Sequence, residues 1–438
     1  MTFPVALRSL RHQNFRLFLS GQLVSLIGTW MQMVAQAWLV YRLTGSSVQL
    51  GLIGFAGQIP VFLLAPLGGA VADRVSRHRV VVAAQATMMV LALLLAVLTL
   101  SDLVRLSHIY VLATLLGMAN AFDMPARQAF VIEMVGRSDL QNAIALNSSM
   151  VNAARIAGPA IAGLTVAAVG EGWCFLINGL SYVAVIAGLL AMRVRSQPYV
   201  HATVPAWASI LEGLDFVART EPVRALLLLL GLVSLMGMPY TVLMPVFADQ
   251  MLGGGVWGYG TLLAAAGVGS LAGAVTLTMR RDLRGLGKWV AIACGSFGVG
   301  LVLFSLSRHF WLSASILLPT GYFMMFQMAA SNTLIQSMVP DALRGRVMAV
   351  YSMMFIGMAP FGALLAGMLA DAIGPPLTVA VGGAACLVGA VLFAYRLPAL
   401  RGPARKLIVA QQAAAGDPAE STTGTATRVT ARHERRRT

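Results

Sequence analysis

Residues 69–79, Gly69-Ala-Val-Ala-Asp73-Arg74-Val-Ser-Arg77-His78-Arg79, crowd five titratable side chains into eleven positions, and residues 80–100, VVVAAQATMMVLALLLAVLTL, carry none. An α-helix rises 1.5 Å per residue, so about 20 such residues cross the roughly 30 Å of hydrocarbon in a bilayer. Water solvates a stretch like 80–100 poorly, whereas lipid accepts it on every side. The same alternation of a polar cluster and a long, mostly apolar run repeats along the chain. Twelve runs are legible, near 17–42, 49–72, 80–100, 107–126, 142–168, 173–192, 223–248, 256–279, 288–306, 310–336, 347–371 and 377–396.

Composition agrees. The 438 residues would make about three soluble domains. Yet apolar residues reach 58% and charged residues only 11%, against about 25% charged in soluble proteins. Mean hydropathy is +0.79. These values exclude an ordinary cytosolic enzyme, a disordered chain and a disulfide scaffold. The fold class is an all-α membrane protein of twelve transmembrane helices. Arg8, Arg11 and Arg16 lead directly into a full-length span, which predicts no cleavable signal peptide.

The net charge of +15 could indicate nucleic acid, but position argues against it. With the N-terminus on the cytoplasmic side, that side collects twenty-seven Lys and Arg residues. They include Arg74, Arg77, Arg79, Arg127, Arg137, Arg193, Arg195, Arg280, Arg281, Arg284, Arg344, Arg346 and eight in the C-terminal tail. The opposite side keeps Arg42, Arg105 and Arg308. Under the positive-inside rule both termini are therefore expected in the cytoplasm, with the protein in the inner or plasma membrane. Cys174, Cys294 and Cys386 lack CxxC spacing or a nearby histidine, so they read as small packing residues. Neither a metal nor a cofactor is expected.

Residues 193–222 form the longest internal loop, and Ile210, Leu211, Leu214 and Val217 at helical spacing predict an amphipathic helix over Ala206–Arg219. The tail from Gly402 lacks apolar periodicity and reads as disordered, with an Arg435–Arg437 cluster. An internal repeat links the two ends of this plan. Leu23-Val-Ser-Leu-Ile-Gly28 matches Leu232-Val-Ser-Leu-Met-Gly237, 209 residues later. Gly69-Ala-Val71 matches Gly273-Ala-Val275, and Gly54 matches Gly258, both 204 residues later. The chain thus divides into a six-helix bundle at 1–192, the loop 193–222, a second bundle at 223–400 and a basic tail at 401–438. Two like halves around a central site suit a rocker that exposes the site to each side in turn.

The segment Gly69 to Arg79 resembles the G-x-x-x-D-R-x-G-R-R signature that major facilitator superfamily transporters carry between their second and third helices. Ser76 stands at the second glycine and His78 at a basic position. Asn120-Ala-Phe-Asp123-Met-Pro125-Ala-Arg127-Gln128, Asn142-Ala-Ile-Ala-Leu-Asn147 and Arg155-Ile-Ala-Gly158-Pro159-Ala-Ile-Ala-Gly163 are similar to the branch containing enterobactin-type siderophore exporters and macrolide efflux pumps. The resemblance implies the major facilitator fold, two pseudo-symmetric six-helix bundles. It also implies a conformational latch of Gly69, Asp73, Arg74, Arg77 and Asp123. Asp73 would meet the cytoplasmic start of the eleventh span, and Arg77 would pair with Asp123. Gly158, Pro159 and Gly163 resemble the G-P-x-x-G-G element of exporters, with Ala162 at one closing glycine; Ala359-Pro360-Phe-Gly362 and Gly367 occupy a comparable place in the eleventh span. Static ion pairing and plain helix packing are the competing readings.

Charge inside a span is expensive, so Arg155, about fourteen residues into the fifth run, is a substrate or coupling candidate. An anionic or carbonyl-bearing substrate would satisfy it; helix carbonyls, Asp123 or Glu133 are the alternatives. Asp123 and Glu133 are also candidate proton carriers. Gln32 and Gln36 share a face of the first span, Asn152 lies one turn before Arg155, and Tyr322 and Gln327 lie in the tenth. They are cavity candidates, with interhelical hydrogen bonding the competing role. Met236, Met238, Met324, Met325 and Met328 suit an adaptable apolar wall. There is no Walker loop, HExxH or GxSxG, so neither ATP nor an enzymatic reaction is expected. The sequence reads as a monomeric, proton-coupled exporter of hydrophobic or amphipathic small molecules. A carrier dedicated to one metabolite, in either direction, and a non-transporting sensor stay open.

Overall fold

Hydrocarbon offers no hydrogen-bond partner, so each spanning segment must pair its own amides, and the chain does so as helices. The computed structural model describes residues 5–192, 206–280 and 285–414, and among them there is no strand. Arg193, Arg195, Arg281, Arg284 and the tail from 415 onward, with Arg435–Arg437, lie outside the described residues. A short 3-10 helix, Val5–Arg11, precedes α1 (Gln13–Thr44), α2 (Ser47–Arg74), α3 (Arg77–Leu100), α4 (Leu106–Val169) and α5 (Glu171–Leu190). After the loop come α6 (Ala206–Arg219), α7 (Glu221–Met251), α8 (Gly255–Met279), α9 (Leu286–Leu306), α10 (Phe310–Met338), α11 (Asp341–Ile373) and α12 (Pro375–Ala414).

Eleven of these helices are long and apolar enough to span. The twelfth crossing is hidden in α4, 64 residues long, which breaks at Gly136 with φ 72°. A residue with a Cβ is strained at that angle, so glycine makes the turn between the fourth and fifth expected spans. Arg42, Arg105 and Arg308 fall at one end of the alternating bundle, hereafter the Arg-poor end. Of these, Arg42 is neutralised by Glu171, its Nε 2.8 Å from Oε1.

One packing scheme is used twice. In the first half α1 and α3 lie against α5, and α2 lies against α4; in the second, α7 and α9 lie against α12, and α8 against α10. The repeat glycines serve this scheme alike. A Cβ on Gly28 would meet Asn178 and Ser181 of α5, and one on Gly237 would meet Phe297 of α9 and Cys386 of α12. Leu63, Val97, Val391 and Leu392 are exposed, as a lipid-facing surface requires. Cys174, Cys294 and Cys386 are buried and free, the packing role expected of them.

Two expectations need correction. The tail does not lose structure at Gly402, because α12 continues to Ala414 through Pro398 and Pro403. Leu397 and Leu400 are buried, and Ala404, Leu407 and Ile408 pack on the same core. That stripe outweighs two missing amide donors. The helix Ala206–Arg219 forms with the expected bounds, and Val217 is buried and Leu214 packs on the core as expected, but Leu211 is exposed and Gly213 joins the inner face. Gly213 lies against the backbone of Arg346, and Glu212 pairs with the Arg346 guanidinium, so α6 docks on the start of α11. The side chain of Ile210 lies outside the described residues.

The bend of α4 is pinned by the N-terminal segment. Asp139, buried just past Gly136, receives Arg8 Nε at 2.9 Å and both Arg11 Nη2 and His12 Nε2 at 2.7 Å. Ser9 adds its amide and hydroxyl to Asn142 Oδ1, at 2.9 and 2.6 Å. The hydrogen bond from His12 and the two guanidiniums hold the Asp139 carboxyl below the usual carboxylate range. Because the docked state has the lower pKa, docking contributes above that range and fades as pH falls through and below it. Asp139→Asn should release the segment at neutral pH. Hydrogen exchange over residues 5–11, corrected for intrinsic rate, should quicken several-fold; unchanged protection would refute this anchoring.

Candidate functional site

The signature region forms a corner between α2, α3 and α4, and its glycine role falls one residue earlier than expected. Gly68, not Gly69, permits the close approach: its Cβ would lie 2.0 Å from the Ala121 carbonyl, whereas a Cβ on Gly69 would meet nothing within 4 Å. Arg77 does not pair with Asp123. Its Nη1 lies 2.9 Å from Glu133 Oε1, and Asp73 Oδ1 is 3.8 Å away. Asp123 is buried, accepts from Gln85 Nε2 at 3.0 Å and pairs with Arg127 Nε at 3.2 Å. Both acids lie in α4 ten residues apart, and the register that packs Ala121 on Gly68 presents Glu133, nearly three turns on, to the α2–α3 loop. His78, a departure from the signature, joins the corner, with Nε2 2.8 Å from the Leu189 carbonyl and its ring 5.7 Å from that of Phe130. Asp73 is half-exposed and meets Arg77 of its own loop rather than the start of α11, and Arg74 is exposed.

The helix-5 element builds the contact between halves. Gly158 faces inward, where its Cβ would meet Trp30 Cβ at 2.3 Å. Pro159 and Gly163 face α8: a Cβ on Gly260 would lie 2.3 Å from the Pro159 carbonyl and 3.0 Å from Gly163 Cα. Across the pseudo-dyad, a Cβ on Gly51 of α2 would lie 2.6 Å from the Ala363 carbonyl and 3.0 Å from Gly367 of α11. Gly158 and Gly163 precede Gly362 and Gly367 by 204 residues, the repeat offset again. Backbones thus touch where side chains are absent, and the halves fit with little room between them.

These contacts are concentrated toward the Arg-poor end. Tyr41 donates its hydroxyl to Asp249 Oδ2 at 2.8 Å, and the rings of Trp38 and Tyr259 stack 6.4 Å apart. Phe62 against Gly357 and Phe361 carries the seam to the middle of α2 and α11. At the other end a Cβ on Gly69 would meet nothing within 4 Å, and among the described residues Asp73 has no ion pair with the second half. The sequence reading missed Tyr41 and Asp249; a tyrosine ending one span and an acid 208 residues away share no local pattern.

The expected cavity residues divide. Gln32 is buried in an interhelical bond, accepting from Asn178 Nδ2 at 2.6 Å, so α1 turns it into its own half. Asn152 donates to the Ser148 carbonyl of its own helix at 2.9 Å, while Gln36 is half-buried. Gln327 is buried within the second half, 3.4 Å from Ser331 Oγ, with its Oε1 unpaired. Tyr322 stacks on Phe326 at 6.1 Å, and its backbone abuts Gly273. Arg155 keeps its guanidinium 5.7 Å from the centre of the Trp30 ring in its own half, and Tyr240 of α7 is near enough to feel its charge. A groove of about 560 Å³ between α9 and α10, lined by Ile292, Val299, Leu303 and Phe323, opens away from this seam. Among the described residues no cluster of His, Cys, Asp and Glu could hold a metal.

The whole of this architecture, from residue 5 to residue 413, matches the pattern of the transmembrane secretion effectors. The chain belongs to that family, within the major facilitator superfamily. As a transmembrane secretion effector it is a multi-pass membrane transporter and not an enzyme. It is similar to the staphyloferrin A transporter of Staphylococcus aureus, 26% identical over 86% of this chain and 95% of that one. It is 28% identical to the multidrug efflux pump Tap of Mycolicibacterium fortuitum over 88% and 96% of the two chains. With the enterobactin exporter EntS of Escherichia coli it shares 26% over 89% and 93%. Among solved structures, the nucleoside transporter NupG superposes with a TM-score of 0.68 at 14% identity, over 88% of this chain and 99% of that one. An auto-inhibited POT family peptide transporter gives 0.68 at 13%, over 88% and 96%. Both share the fold.

The Tyr41–Asp249 bond is a test of the seam. Losing a hydrogen bond to a partly exposed carboxylate is worth about 1 kcal/mol, roughly fivefold in a two-state balance. In Tyr41→Phe, a cysteine placed at Ala37, one turn below, should react about fivefold faster with a maleimide added at the Arg-poor side. An unchanged rate would show that the bond does not hold the seam.

Proposed function

We propose that the protein is a proton-coupled exporter of hydrophobic or amphipathic small molecules, working by rocker-switch alternating access. The observation that carries this reading is the asymmetric seam. Glycine contacts and the Tyr41–Asp249 bond join the halves at the Arg-poor end. The signature acid Asp73 stands half-exposed at the other. A transporter caught open on one side has this form, and reversing it would bring Asp73 to the start of α11 while the seam parts. The names of the relatives, a siderophore transporter, a siderophore exporter and a multidrug pump, support outward movement of amphipathic compounds. The Arg-rich end is the cytoplasmic one on charge grounds, which makes the present arrangement inward-facing. Both termini then lie in the cytoplasm, and the protein acts as a monomer with its own rocking seam.

The latch has a stated role in this scheme. Arg77 is fixed by Glu133, so Asp73 is the mobile partner, free to leave Arg77 for the N-terminal turn of α11 when that end closes. Such a contact stabilises the outward-open state by about 1–2 kcal/mol in a partly buried site. Asp73→Asn should therefore slow export roughly tenfold without lowering the amount of protein in the membrane. The measurement is flux of a dye-labelled amphipathic panel in proteoliposomes, with and without an imposed pH gradient. Flux indifferent to the gradient would remove proton coupling, and absence of flux across the panel would remove the export reading. Loss of Asp73→Asn from the membrane would make Asp73 structural.

A further inference from the structure

Of the 31 basic residues, Arg155 is the one that the apolar pattern buries within a span, and its surroundings do not neutralise it. Every buried acid of its half is committed elsewhere. Asp123 is held by Gln85 and Arg127, Glu133 by Arg77, Asp139 by Arg8, Arg11 and His12, and Glu171 by Arg42. Among the described residues no carboxylate lies within ion-pair distance of Arg155. The flank of Trp30 gives it an aromatic face at 5.7 Å, and Tyr240 brings a phenol from the other half. Trp30 stands on α1, Arg155 on the second limb of α4 and Tyr240 on α7, just after the π-helical stretch Val233–Gly237 that widens that helix. Gly267 of α8 lets the Arg155 backbone approach, at 3.4 Å from its would-be Cβ. Trp30 of α1 thus flanks the guanidinium with Tyr240 of α7 nearby, and α8 packs on the backbone behind it, leaving Arg155 partly buried.

A guanidinium left without a counter-ion in a low-dielectric setting is costly, and an aromatic face offsets only part of that cost. What complements it is a planar oxyanion that accepts two parallel N–H bonds. The indole of Trp30 offers stacking area to whatever carries the anion, and the nearby Tyr240 carries a hydroxyl that could add a further donor. We infer that Trp30, Arg155 and Tyr240 form the recognition site for an oxyanion on the transported molecule, so that the substrate class is amphipathic anions and not cations. This rests on the export reading and narrows it. The cost of the unpaired charge also gives the binding its conformational consequence: a bound anion relieves Arg155 only while α1, α4 and α7 stay together, so loading the site would bias the seam.

The test is equilibrium binding, which needs no flux and no proton gradient. The full-length protein in lipid nanodiscs is titrated with 4-octylbenzoate, 4-octylbenzamide and 4-octylbenzylamine, which share the octylphenyl body and carry an anionic, a neutral and a cationic head. A charge-assisted pair predicts that the wild type binds the benzoate at least about tenfold more tightly than the amide, and the amine more weakly still. Arg155→Met should bring benzoate and amide within about twofold, chiefly by weakening the benzoate. Arg155→Lys should restore part of the preference, because a point charge cannot reproduce the fork. Tyr240→Phe should reduce it by roughly threefold. A wild type that binds the benzoate no better than the amide overturns the inference whether or not the variants insert. So does an Arg155→Met protein that keeps its anion preference, since the guanidinium would then be a brace between Trp30 and Tyr240. Intact anion-selective binding without any flux in proteoliposomes would sink the export reading and leave the site standing.

Discussion

Hydrocarbon cannot hydrogen-bond, and nearly every feature of this protein answers to that constraint. Backbone amides are satisfied inside helices, and side-chain polarity is sorted by depth. Charges collect at the ends, where they neutralise one another as Arg42 does with Glu171 and Arg77 with Glu133. Polar groups that must sit deeper pair across helices, as Gln32 does with Asn178 and Asp123 with Gln85 and Arg127. The exceptions stand out because of this economy. Arg155 has an aromatic neighbour but no counter-charge among the described residues, and Gln327, like Gln22 and Gln85, keeps a buried oxygen without a hydrogen bond.

With no hydrophobic drive between helices in lipid, association depends on close packing, and here glycine provides it. The two seams between halves, α2 with α11 and the second limb of α4 with α8, each bring backbones together at paired glycines, Gly51 with Gly367 and Gly163 with Gly260. Such a contact is flat and has few interlocking side chains. It can part and re-form, which a seam of large interdigitated residues could not do as readily. In the proposed rocking scheme these glycine contacts are the ones that part, while the signature corner at the opposite end has the Arg77–Glu133 pair and, beside it, the half-exposed Asp73.

Two peripheral elements limit this freedom at the Arg-rich end. The N-terminal segment is clamped to the α4 bend through Asp139, and α6 is tied to α11 through Glu212 and Arg346. Each connects a connecting segment to the start or bend of a spanning helix, so movement of the halves must carry these segments along. The extension of α12 to Ala414 adds a third, because its apolar stripe of Ala404, Leu407 and Ile408 stays on the core.

The chain's fold was legible in its sequence because membrane insertion acts on composition and length, both local quantities. Runs of mostly apolar residues predicted every spanning segment, the repeat at a 204-residue offset foretold two like halves, and the 69–79 signature pointed to the superfamily. The amphipathic helix at Ala206–Arg219 was readable to the residue from its periodicity, though not which face it buries. Pairings were not legible. Whether Arg77 meets Asp123 or Glu133, whether Gly68 or Gly69 makes the close approach, and whether Gln32 points into a cavity or into its own bundle all depend on the rotation of one helix against another. A helix turns 100° per residue, so a shift of one position exchanges one partner for another with no change in hydropathy. The Tyr41–Asp249 bond and the convergence of Trp30, Arg155 and Tyr240 join residues far apart in the chain, and there the tertiary structure alone decided, because depth in the membrane is written in the sequence and azimuth is not.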